Sequence, residues 1–284
     1  MTNSDIKYHK LKVCYDRPSP NRGGKIVPSL VVMHYTAGHD AESAIQTLSD
    51  PKNKASAHVV IDTNGAITQL VPFNRAAWHA GPSEYQGLKG INNHSIGIEL
   101  VNTGYLREVQ FNSGREFQDW AGNRVDTNRP VLEAAHPRVG SGKFFWPIYP
   151  EKQIQSAERL VKALIAQYPT IYDVVSHEEI DTRGWKTDPG PAFPMERFKT
   201  LFDDRSGKKL SFYDRLFRFG QVTASNLNVR GGPGVGYDVI GSVSKGKLVR
   251  VTGIVPTTVG EEWLEIEHND EVGYVASRFV KRQL

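Results

Sequence analysis

The chain has 284 residues, 39% of them hydrophobic and 23% charged, which is ordinary for a globular protein and more than one average domain needs. A formal net charge of +4, with no basic run interleaved with aromatics, argues against nucleic acid as a partner. No stretch approaches the roughly 18 apolar residues of a membrane span. The opening residues also lack the apolar segment of a secretory leader, so the chain reads as soluble and made in the cytoplasm. The single cysteine, Cys14, can form no internal disulfide and reads as a small buried hydrophobe.

In chain order, residues 30–35 read as a buried strand and 40–49 as a helix. Residues 57–62 and 67–71 read as two strands joined at Asn64-Gly65, a strong hairpin signal. An apolar strand interrupted by one acid, Glu99, follows at 95–101. From about 103 to 150 the pattern weakens into an insertion mixing Gly, Asn, Arg and Pro with aromatics. Its Phe117, Trp120, Phe144, Phe145 and Trp146 either wall a substrate groove or pack the insertion onto the domain. Residues 151–168 place Ile154, Ala157, Leu160, Val161, Leu164 and Ile165 on one helical face, and Val174-Val175 leads into Ser176-His177. Strands separated by helices predict an α/β domain with a mixed central sheet over residues 1–202.

The charged stretch 203–221 reads as a linker. Residues 222–284 change to short strands and Gly/Pro turns, the texture of a small β-barrel. Acids and bases balance within this tail, so the positive excess lies in the larger part. There it would suit an anionic polymer or peptide carboxylates, or form a solvated surface.

The chemistry concentrates in 176–191, Ser-His-Glu-Glu-Ile-Asp-Thr-Arg-Gly-Trp-Lys-Thr-Asp-Pro-Gly-Pro. His177 and Asp188 are zinc-type ligands, and Lys186 lies two residues before Asp188, on the same side of an extended segment. His34 closes the 30–35 strand and would complete a three-ligand site with an open fourth position. His34 and His177 both end apolar strands, where α/β sheets place their sites. Lys186 would then sit beside a developing oxyanion. Glu99 is either a buried base with a raised pKa or an exposed strand-end acid paired with an arginine. His58 and His79 each line the site or serve the core, and Trp78 offers a flat wall or packs. His9, His39, His94, His136 and His268 stand in polar or irregular contexts and read as surface residues.

These segments together resemble the zinc-dependent N-acetylmuramoyl-L-alanine amidases, a family that includes phage-lysozyme-type amidases and peptidoglycan recognition proteins. The resemblance covers about 28–200. It rests on Val32-Met-His34-Tyr35-Thr, Ala57-His58-Val-Val-Ile-Asp62, Ala77-Trp-His-Ala-Gly81, Asn92-Asn-His-Ser-Ile-Gly-Ile-Glu99-Leu, Ser176-His177 and Lys186-Thr-Asp188-Pro-Gly-Pro191. It implies that His34, His177 and Asp188 bind one Zn²⁺, that Glu99 activates water and that Lys186 supports the tetrahedral intermediate. The substrate side would include Tyr35, His58, Trp78, His79 and Asn93. The bond cut would be the amide between the lactyl group of N-acetylmuramic acid and L-alanine of the stem peptide. Asp188 in place of a thiolate, and Glu99 in place of a tyrosine, are similar to the AmpD/AmiD-type branch.

The tail resembles a bacterial SH3 (SH3b) domain through Leu227-Asn-Val-Arg230, Gly246, Trp263 and Gly273-Tyr-Val-Ala-Ser277. This implies a unit that binds peptidoglycan, against the alternative of a barrel that only packs or dimerises. The implied partners are peptidoglycan or muropeptide fragments. Two competing readings remain: a non-catalytic wall-recognition protein of the same fold, and a zinc peptidase cutting within the stem peptide. The enzyme would act on the cell wall if released, or on muropeptides in the cytosol.

Overall fold

The computed structural model describes residues 6–12, 15–111, 114–125, 129–202, 219–256, 261–269 and 271–282. Cys14 and residues 203–218 of the expected linker lie outside the described residues. The chain divides into two compact units, Met1–Leu201 and Phe202–Leu284. No helix among the described residues is long and apolar enough to cross a membrane.

The first unit is built on a six-stranded mixed sheet in the order Asp173–Ser176, Leu30–Tyr35, Ser95–Leu100, Val59–Ile61, Ile67–Gln69, Tyr15–Asp16. The first four strands run parallel to one another, and Val59–Ile61 turns back antiparallel into Ile67–Gln69. Because the central strands are covered on both faces, they are continuous apolar runs rather than alternating ones. The reversal uses Asn64-Gly65 as expected: Gly65 has φ +86°, and the Asn64 carboxamide accepts from Ala66 N at 2.8 Å.

Helix α1, Ala41–Ser49, starts where the Asp40 carboxylate accepts the Ser43 N–H. It buries Ile45 among Val60, Leu70, Val71, Ala77 and Val101. Helix α2, Glu151–Gln167, buries Ile154, Ala157, Leu160, Val161 and Leu164. It also buries Gln153, whose Nε2 donates to the carbonyls of Ile61 and Val101 at 2.9 and 3.2 Å and so ties the helix to two strand ends.

The described residues of the insertion are built on two small antiparallel β-sheets. Arg107–Phe111, Gly114–Gln118 and Arg124–Val125 form one antiparallel sheet, and Val131–His136 pairs with Gly140–Pro147 as a hairpin. Leu106, Phe117, Val125 and Phe145 make its small core. Of the aromatics in question, Phe117, Phe144, Phe145 and Trp146 pack inward, and Trp120 is 58% exposed.

The described residues of the second unit form a sheet of seven antiparallel strands, with one 3-10 turn at Ser277–Phe279, in the order Val239–Ser244, Asn226–Arg230, Glu271–Ala276, Glu262–His268, Leu248–Pro256, Phe219–Val222, Val280–Arg282. Its core is Val222, Leu227, Val229, Val249, Val251, Leu264, Ile266, Val275 and Val280.

Candidate active site

Three parallel strands end side by side, and residues next to or just past their ends carry the chemistry. His34 and Glu99 are register partners on neighbouring strands, so their side chains leave the sheet on the same face. Ser176 pairs with Met33, which puts His177 one step past the next strand, level with His34. Ser176 then caps the short helix α3, His177–Ile180. Its hydroxyl accepts from Glu179 N while the Glu179 carboxylate accepts from Ser176 N, which fixes where His177 points.

Asp188 returns along the loop, and its carbonyl accepts the Glu178 N–H at 3.1 Å. The result is a closed triangle of buried donor atoms. His34 Nδ1 is 3.0 Å from His177 Nδ1, and each lies 2.9 Å from Asp188 Oδ2.

The protons around this triangle follow from its partners. The Ser95 hydroxyl donates to the Ile91 carbonyl at 2.7 Å, so at 3.2 Å it must accept from His79 Nε2. Burial, then the neighbouring imidazoles His34, His58 and His177, hold the His79 pKa well below its ordinary value. Its ring is neutral, and Nδ1 is its acceptor. At 2.9 Å that atom takes the proton of His34 Nε2. His177 Nε2 faces the Ala80 carbonyl at 3.3 Å, which can only accept.

Both Nδ1 atoms therefore present lone pairs to each other and to a carboxylate oxygen. A proton there would make an imidazolium, yet burial, followed by His177, lowers His34 to about 4. Burial raises the Asp188 pKa, and only a proton on His177 or His34 Nδ1, donated to its carboxylate, lowers it below the ordinary value; with no such proton the three lone pairs need a cation between them. Three converging lone pairs of this kind are the donor set of a zinc ion, which these residues fit.

Glu99 stands beside the triangle. Its Oε2 is buried and makes no hydrogen bond among the described residues. Burial, then the Asp188 charge, pushes its pKa well above the carboxylate range, with Lys186 opposing. Glu99 as a whole is half-buried, and the charges acting on it are those of Asp188 and Lys186, not of an arginine. Lys186 is half-buried, with its ammonium 4.4 Å from the centre of the exposed Trp185 ring.

The other expected substrate residues scatter. Tyr35 bonds Thr187 Oγ1 through its hydroxyl at 2.5 Å, next to Asp188. Trp78 lies partly exposed at the surface. Asn93 is exposed, and its neighbour Asn92 does the structural work: its Oδ1 accepts the N–H groups of His79 and Ala80 at 2.9 and 2.8 Å. His58 is 0% exposed, with Nε2 on the Arg75 carbonyl and Nδ1 accepting the Gly97 N–H. That places it in the core, where a substrate has no access. His79 lies behind His34.

Several positioning residues carry no sequence signal of their own. Asp181 has a fully buried side chain that accepts from Arg183 Nε and from the backbones of Trp185 and Lys186. Burial would raise its pKa, and these donors hold it down to about 2. The Tyr149 hydroxyl donates to the Pro189 carbonyl at 2.7 Å. Gly190, with φ +76°, lies flat against Trp146, where a Cβ would come within 2.6 Å of the ring.

His136, expected at the surface, is instead 5% exposed and bonds Glu178 at 3.1 Å. Arg138, two residues on, donates to the Lys186 carbonyl at 2.9 Å. The turn of the insertion hairpin thus braces the loop that carries His177 and Asp188. Only the folded hairpin brings these pairs together.

A mixed α/β unit that gathers two imidazoles and one carboxylate at the carboxyl ends of its parallel strands offers the donor set of a metal site. Residues 23–191 match the N-acetylmuramoyl-L-alanine amidase family, and residues 225–281 match the bacterial SH3 domain. The chain is a member of that amidase family and carries a bacterial SH3 domain after it.

Among its relatives is the 1,6-anhydro-N-acetylmuramyl-L-alanine amidase AmpD of Salmonella typhimurium. It is 33% identical over 158 residues, which are 56% of this chain and 63% of the relative. Another is the N-acetylmuramoyl-L-alanine amidase AmiD of Escherichia coli, 35% identical over 176 residues, 59% of this chain and 51% of the relative. The chain thus spans about half to two thirds of the length of these curated relatives. The crystal structure of an AmpD selenomethionine derivative is similar at a TM-score of 0.49 and 27% identity, covering 69% of this chain and 98% of that one.

Proposed function

We propose that this protein is a zinc-dependent N-acetylmuramoyl-L-alanine amidase that hydrolyses the amide between the lactyl group of N-acetylmuramic acid and L-alanine of the stem peptide. The observation that carries the reading is the triangle of His34 Nδ1, His177 Nδ1 and Asp188 Oδ2, three lone pairs within 3.0 Å of one another, with the half-buried Glu99 carboxylate beside them. The names of the relatives support the bond assigned, and a non-catalytic recognition role leaves this donor set without a purpose.

His34, His177 and Asp188 would hold the ion. Bound zinc lowers the pKa of a water ligand to about 7 and polarises a carbonyl oxygen. The Glu99 carboxylate takes the proton of the attacking water and returns it to the departing amide nitrogen, a role its raised pKa favours. The Lys186 ammonium, held against the Trp185 ring, faces the negative charge that develops on the substrate oxygen. Tyr35 and Tyr149 act on the loop rather than the substrate: the Tyr35 hydroxyl bonds the Thr187 hydroxyl and the Tyr149 hydroxyl donates to the Pro189 carbonyl, on either side of Asp188.

The bacterial SH3 domain supports a polymeric wall as substrate, since a small soluble fragment needs no anchoring unit. The zinc-loaded full chain should therefore release intact stem peptides from purified sacculi faster than from anhydro-muropeptides, as read by mass spectrometry. Faster turnover of anhydro-muropeptides would reverse the substrate preference. Products cut inside the stem peptide would overturn the bond assignment, and no products from either substrate would overturn the enzyme.

A further inference from the structure

His79 was expected against the substrate, and the structure gives it different surroundings. Its ring fills a slot that only a glycine leaves open: a Cβ on Gly97, in the strand carrying Glu99, would lie 2.5 Å from His79 Cγ. Gly97 is itself fixed by donating to His58 Nδ1 at 3.0 Å. The His79 backbone is fixed by the Asn92 carboxamide. The ring is thus held on both sides, with Nδ1 2.9 Å from His34 Nε2 and Nε2 3.2 Å from Ser95 Oγ, whose own proton goes to the Ile91 carbonyl.

From this geometry we infer that His79 is a positioning residue for the metal. Through the relay Ile91 carbonyl, Ser95, His79, His34, it fixes His34 in the tautomer that keeps the Nδ1 lone pair free. It also fixes the angle at which that lone pair meets those of His177 and Asp188. Metal-bound histidines commonly donate their second N–H to a carboxylate, a carbonyl or water. Here a neutral imidazole takes that place. It orients His34 without adding a negative charge, so zinc held by two imidazoles and one carboxylate would keep a net positive charge toward the substrate oxygen.

The inference rests on the zinc reading above, and its test separates the two. The probe is zinc itself, titrated into the full chain against a chromophoric chelator, with nitrogen NMR of the histidine rings in the zinc-free chain as a second readout. His79→Phe keeps the ring volume and removes the acceptor, and it should weaken zinc by about 10–100-fold. His79→Asn puts an oxygen near the position of Nδ1 and should recover most of the loss. Ser95→Ala, further along the relay, should weaken zinc by a smaller factor.

In the wild type, NMR should find the His34 proton on Nε2; in His79→Phe the two tautomers should mix. Unchanged zinc affinity with an unchanged His34 tautomer in His79→Phe would overturn the inference, as would Asn failing to rescue a folded protein. Absence of zinc binding in the wild type would overturn the reading beneath it, while a His34 proton on Nε2 in that case would still uphold the relay.

Discussion

Glu99→Gln is expected to lower kcat by about 10²–10⁴ while zinc is taken up as in the wild type. The substitution keeps the shape of the side chain and removes the proton acceptor. Because Oε2 is outside the triangle formed by His34, His177 and Asp188, the ligand set is intact. The same change should leave the fold about as stable, since burial already pushes the Glu99 carboxyl toward its neutral form and the amide is neutral too. Thermal melting and zinc titration of the variant check both parts. A Gln variant that no longer holds zinc would move Glu99 into the ligand set and leave the proton transfer without an owner.

His177→Ala should have the larger effect on the metal. It takes one corner from a triangle whose atoms are 2.9–3.0 Å apart, leaving one imidazole and one carboxylate. Zinc affinity should fall by more than the roughly 100-fold that losing a supporting hydrogen bond can cost, and turnover should fall with it. Stability gives an independent readout. Zinc at 100 times its Kd should raise wild-type stability by about 2.7 kcal/mol through linkage, and in His177→Ala the rise should vanish at the same concentration. A variant that still melts higher with zinc would place the ion elsewhere.

The two predictions also show how unevenly a sequence reveals a site. His34, Glu99 and His177 can be read from the chain because each interrupts or ends an apolar run, and parallel strands bring such ends together. The mixed sheet is legible for the same reason, as are α2 with its periodic face and the turn at Asn64-Gly65.

The residues that hold the site in place are hidden, because their roles exist only across long separations. His136 stands in a stretch of mixed polarity, and nothing in that stretch announces Glu178 as its partner. Asn92 and Asn93 are equivalent in the sequence, and only the backbone at Ile91–Asn93 turns the first toward His79 and leaves the second in solvent. The insertion hides its strands because Val131–His136 buries only its last residue and Gly140–Pro147 only its second half, which leaves no long apolar run. His58 shows the opposite error: a histidine between apolar residues invites a functional reading, and here two backbone groups account for both ring nitrogens.

The central claim is that one zinc ion is held by His34, His177 and Asp188, with Glu99 next to it and not bound to it. X-ray absorption at the zinc edge, combined with anomalous diffraction from the zinc-loaded chain, tests it most directly. The account predicts a single ion in contact with two imidazole Nδ1 atoms and one carboxylate oxygen, at about 2.0–2.2 Å, with the remaining position open to solvent. An ion coordinated through Glu99, one bound through Nε2 of either histidine, or zinc located outside this triangle would contradict it.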